Sequence, residues 1–182
     1  NQRKMLSDKG GNDCDVLLMS ATPIPRTLTM TIYGDMDLSI IREKPKYRKE
    51  VRTYSKLESK IDDILRFIHK EIDDGNQIFW VCPLIEESKK IDHASAINKY
   101  KFLNKKFPNQ VALLHGKTEI DEKETILNKF LNHKLKILVS TTVIEVGIDF
   151  PNANVIIIEN ANKFGLSQLH QLRGRVGRGK KQ

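Results

Sequence analysis

The chain has 182 residues, enough for one domain with a real core and a fragment of a second. Its composition, 39% hydrophobic and 30% charged, is ordinary for a globular protein, and no apolar run approaches the ~18 residues of a membrane-spanning helix. The net charge of +8 favours an acidic partner, of which nucleic acid is the commonest, and the basic residues Arg173, Arg175, Arg178, Lys180 and Lys181 crowd the C-terminal end.

Taken in chain order, hydrophobic period gives alternating strands and helices. Residues 16–19 form a short apolar strand closed by Ser20-Ala21-Thr22 and two prolines, Pro23 and Pro25. A helix follows over about 26–33, then a Gly34-Asp35 break and a second short strand over 38–41. Residues 43–49 are charged, carry Pro45 and have nothing to bury, which marks a linker. Beyond it, Ile61, Ile64, Leu65, Ile68 and Ile72 recur at helical spacing, with Gly75 placed as the stop. An apolar strand at 78–82, a weaker helix over 88–105 and a strand at 111–114 come next. Asp121 and Glu124 have capping-box spacing ahead of Ile126, Leu127, Phe130 and Leu131, so a helix is expected to start there. Strands at 135–139 and 155–158 and a last helix over 166–172 complete the pattern.

Strands apolar on both faces that alternate with helices predict an α/β fold, a parallel sheet covered by helices on both faces. Ligands of such sheets gather at the carboxyl ends of the strands, so the loops after Leu114, Val139 and Ile158 are where chemistry is expected. Cys14 and Cys82 each sit in an apolar run and read as small buried hydrophobes suited to the cytoplasm. With no CxxC pair and no histidine at ligand spacing, a metal site is not expected.

The strongest motif is Gln171-Leu172-Arg173-Gly174-Arg175-Val176-Gly177-Arg178-Gly179. Two Gly-Arg pairs three residues apart present two guanidinium groups, which match phosphate oxygens through paired donors, while glycine lets backbone approach another surface. A solvated basic tail is the bland alternative, but a mere charge run needs no such rhythm. The next is Ser140-Thr141-Thr142-Val143-Ile144-Glu145-Val146-Gly147-Ile148-Asp149, hydroxyls and N–H groups directly after a strand, which suit phosphate or an ordinary strand-to-helix loop equally.

These segments resemble motifs six and five of the superfamily-two helicases. The resemblance implies a RecA-like fold of the P-loop-NTPase type, here the second motor lobe. It makes Arg175 and Arg178 arginine fingers on the ATP phosphates and puts Gln171, Gly147 and Asp149 at the nucleotide. It also lays Thr141 and Thr142 along a DNA backbone. Many relatives carry Arg immediately before that glycine; this chain has Val146, so no role of such an arginine transfers. Ser20-Ala21-Thr22-Pro23 resembles motif three, the interlobe coupling element. Leu113-Leu114-His115-Gly116-Lys117 resembles motif four-a, in which His115 and Gly116 approach a DNA phosphate. Pro83-Leu84-Ile85-Glu86-Glu87-Ser88 and Leu169-His170-Gln171-Leu172-Arg173-Gly174 are similar to the RecG family rather than to the transcription-repair coupling translocases.

The resemblance runs over nearly the whole chain and implies ATP-driven translocation on duplex DNA and remodelling of branched DNA, with ATP and Mg²⁺ as cofactors. No GxxxxGK[ST] loop and no Asp-Glu-x-His box occurs, so this chain alone is expected to be inactive. It opens on Asn1 rather than Met and reads as a piece of a longer protein, whose N-terminal motor lobe and wedge domain are the expected partners. Residues 1–45 are then the remnant of lobe one and linker, and 46–182 the lobe itself. The strand at 16–19, made for a sheet of lobe one, is expected either to dock its helix on lobe two or to pair with a second copy in a dimer. A coupling-factor translocase lobe, a nucleic-acid-binding module that never meets ATP, and an oligomerisation domain are the alternatives.

Overall fold

The computed structural model describes residues 39–41, 43, 50–83, 89–141 and 150–177, and for 89–94 the backbone alone. The chain divides into two compact units, Asn1–Arg42 and Glu43–Gln182. Of the first, only 39–41 are described. They form no strand, and Ile40 and Ile41 are 55% and 94% exposed, against the expectation for 38–41. Two neighbouring isoleucines give the local β-preference, but no backbone ladder forms at these residues to keep them extended in a sheet. The expected strand at 16–19 and the helix over 26–33 lie outside the described residues, as do 44–49 of the linker.

Among the described residues of the second unit, regular structure begins with a 3-10 turn, Glu58–Lys60, that leads into α1, Ile61–Asp73. The apolar stripe of α1 buries Leu65 and Ile68, and Gly75 ends the helix as expected. Its φ of 83° is a left-handed conformation that glycine adopts without strain. There the Gly75 and Asn76 N–H groups return to the Ile72 and Glu71 carbonyls at 2.9 and 2.8 Å, a Schellman cap.

Four parallel strands follow: β1 Gln77–Val81, β2 Val111–Leu114, β3 Ile137–Ser140 and β4 Ala153–Ile158, in the order β2-β3-β1-β4. Helix α2, Lys89–Lys106, carries the chain from β1 past β3 to β2; α3, Ile120–Leu131, returns it to β3. Side chains alternate between the two faces. Ile78, Trp80, Cys82, Ile137 and Val139 meet α1, Ala96 and Leu103 of α2, and Phe107 just beyond α2. On the opposite face, Phe79, Ala112 and Leu138 meet Leu127 and Phe130 of α3. Phe79, Phe130 and Phe150 close this second core with ring centroids 5.3–5.7 Å apart. The expected α/β layering, helices on both faces of a parallel sheet, is what forms.

One expected cap does not form. Helix α3 starts at Ile120, a residue before Asp121, and its N-cap residue Glu119 makes no side-chain bond. Asp121 lies inside the first turn, where its charge favours the positive end of the helix dipole instead of capping a backbone N–H.

The amino edge of the sheet is tied by amides. Gln77, 1% exposed, donates through Nε2 to the carbonyls of Phe130 (2.6 Å) and Leu135 (2.8 Å), at and just beyond the carboxyl end of α3. Asn76 donates to Glu71 Oε2 at 2.7 Å and accepts from Asn154 at 2.6 Å. The register shift between Gln77 and Ile78 leaves Asn154 as the extra residue of β4, turned to make that bond. His133, in the left-handed Schellman position after α3 (φ 57°), has its Nε2 2.7 Å from Asn152 Nδ2.

Candidate functional site

The carboxyl ends of the strands fall in one row because the register aligns them. Leu114 pairs with Ser140, Ser140 with Val81, and Val81 with Ile158. The next residue of each chain segment is therefore His115, Thr141, Cys82 and Glu159, side by side across the edge. Backbone bonds stitch the row: Thr141 N–H donates to Leu114 O at 3.4 Å, Cys82 N–H to Ser140 O at 2.8 Å, and Glu159 N–H to Val81 O at 2.9 Å.

His115, Gly116 and Lys117 form a tight turn after β2. The His115 N–H donates to Thr118 Oγ1 (3.1 Å), Thr118 N–H to His115 O (3.0 Å), and Lys117 N–H to the ring Nδ1 of His115 (3.2 Å). An accepting Nδ1 puts the proton of the neutral ring on Nε2. Gly116 is exposed, and a Cβ added there would meet nothing within 4 Å. The fold itself does not demand a glycine at that point.

Thr141 sits where expected, beyond β3, but it is only 4% exposed and its N–H is already engaged by Leu114. Since β3 lies between β2 and β1, the first residue past it is still enclosed by neighbouring strand ends. Thr142, Gly147 and Asp149 lie outside the described residues, as do Ser20, Ala21, Thr22 and Arg178.

The basic segment leaves α4, Leu166–Arg173. That helix opens with the Gly165 N–H donating to Gln168 Oε1 at 3.0 Å, and Gln171 is exposed on it. Gly174 N–H donates to His170 O at 3.1 Å and Arg175 N–H to Leu172 O at 3.0 Å, so the turn is continuous with the helix. Val176, 1% exposed, anchors it in the second core beside Phe79, and Gly177 turns the chain with φ 73°. Arg175 is held half-buried between these fixed points. Arg173 ties the helix end to an earlier segment, since its Nη2 donates to the Val51 carbonyl at 2.7 Å. His115, Gly116 and Thr141 are thus brought together on one edge, and Gln171 and Arg175 share the end of α4.

Sequence reasoning missed a second cluster on that edge. Glu159 accepts from Lys99 Nζ at 2.5 Å through Oε1 and from the Cys82 thiol at 3.3 Å through Oε2. The ammonium also lies 5.2 Å above the Trp80 ring and 5.5 Å from that of Phe102. Burial, and then the neighbouring Glu159 charge, pushes the Cys82 thiol far up from its ordinary value, so it stays protonated and donates. A cleft of about 460 Å³ opens beside the cluster, lined by Ser95, Asn98 and Phe102 of α2 and by Asn160. The available signal was a carboxylate directly after an apolar strand; nothing local announces that Lys99 meets it.

A model of the helicase conserved C-terminal domain family matches residues 59–180. The ATP-dependent DNA helicase RecG of Bacillus subtilis (strain 168) is 51% identical over 183 aligned positions, which cover 100% of this chain and 27% of that protein. The chain thus spans about a quarter of the length of the curated relatives it matches. Among solved structures, RecG bound to a three-way DNA junction matches with a TM-score of 0.73 and 46% identity, over 93% of this chain and 22% of the other. Dbp5 of S. cerevisiae, bound to RNA and ADP BeF3, matches at TM-score 0.65 and 20% identity, over 100% of this chain and 46% of that one, a likeness of fold alone.

Proposed function

Because this chain belongs to the helicase conserved C-terminal domain family, we propose that it works as the second motor lobe of an ATP-dependent DNA helicase of the RecG type. The observation that carries this is the 46% identity, over 93% of the chain, with RecG bound to a three-way DNA junction. The whole protein translocates on duplex DNA and remodels branched DNA, as the bound junction suggests, and residues 46–182 form the lobe. Residues 1–45 belong to the preceding lobe and linker, with Ser20, Ala21 and Thr22 coupling the two.

In this mechanism ATP is gripped between the lobes. Arg175 and Arg178 stabilise charge on the phosphoryl group in transfer, with Gln171, Gly147 and Asp149 completing the nucleotide side. His115 and Gly116 approach a DNA phosphate. A glycine whose Cβ would be unopposed inside the fold suits close approach from outside. Thr141, 4% exposed, contributes through its fixed place at the strand end rather than through an exposed hydroxyl, and Thr142 follows it. Among the described residues no group of three His, Cys, Asp or Glu is placed to hold a metal.

The test is Arg175→Ala and Arg178→Ala in the whole protein. Turnover should fall by ~10³ or more while DNA affinity stays within a few-fold. A loss below about tenfold in both variants refutes the assignment.

A further inference from the structure

Glu159 stands at a junction that neither the nucleotide residues nor the DNA residues account for. On one side its N–H and side chain bind the end of β1, through Val81 O and the Cys82 thiol. The Cys82 N–H reaches Ser140 O, next to Thr141, and Thr141 reaches Leu114 O, next to His115. On the other side the backbone turns at once: Asn160 is left-handed at φ 48°, and the chain runs through the 3-10 turn Ala161–Lys163 into α4 and Arg175. The carboxylate is fixed in this position by Lys99 from α2, each side chain 19% exposed.

An ion pair so withdrawn from water is a poor source of net stability, because desolvating both charges offsets much of their attraction. What it does provide is one geometry. We propose that Glu159, clamped between Lys99 and Cys82, is a positioning residue that couples the His115–Thr141 edge to Arg175. This rests on the motor-lobe function proposed above. Displacement of the DNA-facing row reaches Glu159 through the strand-end bonds, and Glu159 sets where α4 begins. Arg175 is thereby placed correctly only when the row is correctly occupied. A misplacement near 1 Å at a reacting group is enough to cost on the order of 10² in rate.

The experiment uses Glu159→Gln in the whole protein, which keeps the side chain's size and one acceptor oxygen but removes the charge that holds Lys99. Three quantities are read: ATP turnover with and without a three-way DNA junction, affinity for that junction, and the thermal midpoint. The expected result is a loss of DNA stimulation of at least about tenfold with junction affinity within twofold; the midpoint falls, since Lys99 is left without its partner, but the variant stays folded at the assay temperature. The charge-reversed pair Lys99→Glu with Glu159→Lys should recover part of the stimulation that either change alone removes. Stimulation kept within twofold in Glu159→Gln overturns the proposal, as does a loss matched by equal loss of junction affinity. Should Glu159→Gln fail to fold, Lys99→Met reads the same three quantities and decides in the same way. If Arg175→Ala leaves turnover intact, the motor-lobe mechanism fails. If Arg175→Ala abolishes turnover while Glu159→Gln keeps its stimulation, only the coupling role fails.

Discussion

Replacing Gln77 by leucine keeps the side chain's bulk and removes both hydrogen bonds that its amide gives to the Phe130 and Leu135 carbonyls. The site is 1% exposed, so water cannot take over without opening the end of α3. The Phe130 carbonyl keeps the His133 N–H at 3.0 Å, so it is the Leu135 carbonyl that loses its partner; a buried carbonyl so left costs about 1–3 kcal/mol, and a buried leucine in place of an amide returns part of that. The net loss is then about 1–2 kcal/mol, or roughly 2–8 °C in thermal midpoint for a domain of this size. Thermal unfolding by circular dichroism, with the urea midpoint as a second measure, reads it directly. Gln77→Glu sharpens the test: a carboxylate facing two carbonyls must hold its proton, so its folded pKa lies above the ordinary ~4.3. Stability is then present below that value and lost as pH rises through the raised one. A midpoint drop under about 2 °C for Gln77→Leu, or a Gln77→Glu variant indifferent to pH, would show that these bonds contribute little.

Gly75→Ala forces a Cβ into the left-handed cap of α1 and should cost about 1–2 kcal/mol, seen as a lower urea midpoint with an unchanged slope. The Cys82 thiol keeps its proton in the folded chain, while in the unfolded chain it ionises near 9.0. Its stability contribution is therefore full below that pH and falls as pH rises, by up to ~1.4 kcal/mol per unit. Cys82→Ala should remove that slope between pH 9 and 10.5, and an identical slope in both proteins would exclude the thiol as its source. Gly116→Val should leave the thermal midpoint within about 1 °C, since its site is open, yet weaken DNA binding by the whole protein severalfold. Unchanged DNA affinity would remove that turn from the DNA contact.

Periodicity found α1, α3 and the four strands because each has an apolar stripe or run that is then buried in one of the two cores. Helix α2 was the weakest signal for a physical reason visible in the fold. Its inward side includes Lys99, which reads as a solvent position in any pattern yet turns in to meet Glu159 and Trp80. Gln77 was equally illegible: its partners are 53 and 58 residues away, and a lone polar residue before an apolar run looks like a boundary. The candidate site was legible as far as strand ends place loops, which put His115 and Thr141 on one edge. That Thr141 is enclosed there followed from strand order, a property of crossovers that no local window contains.

The two edges of the sheet also age differently under mutation. At the amino edge, Gln77, Asn76, Asn152 and Asn154 hold one another or a helix end, and an amide lost there is felt by the whole sheet. At the carboxyl edge, a position such as Gly116 owes nothing to its own fold. Change at such an open position is therefore cheap for the fold, and expensive where the chain meets itself. A lineage built on this lobe can vary such open positions while inheriting the scaffold intact.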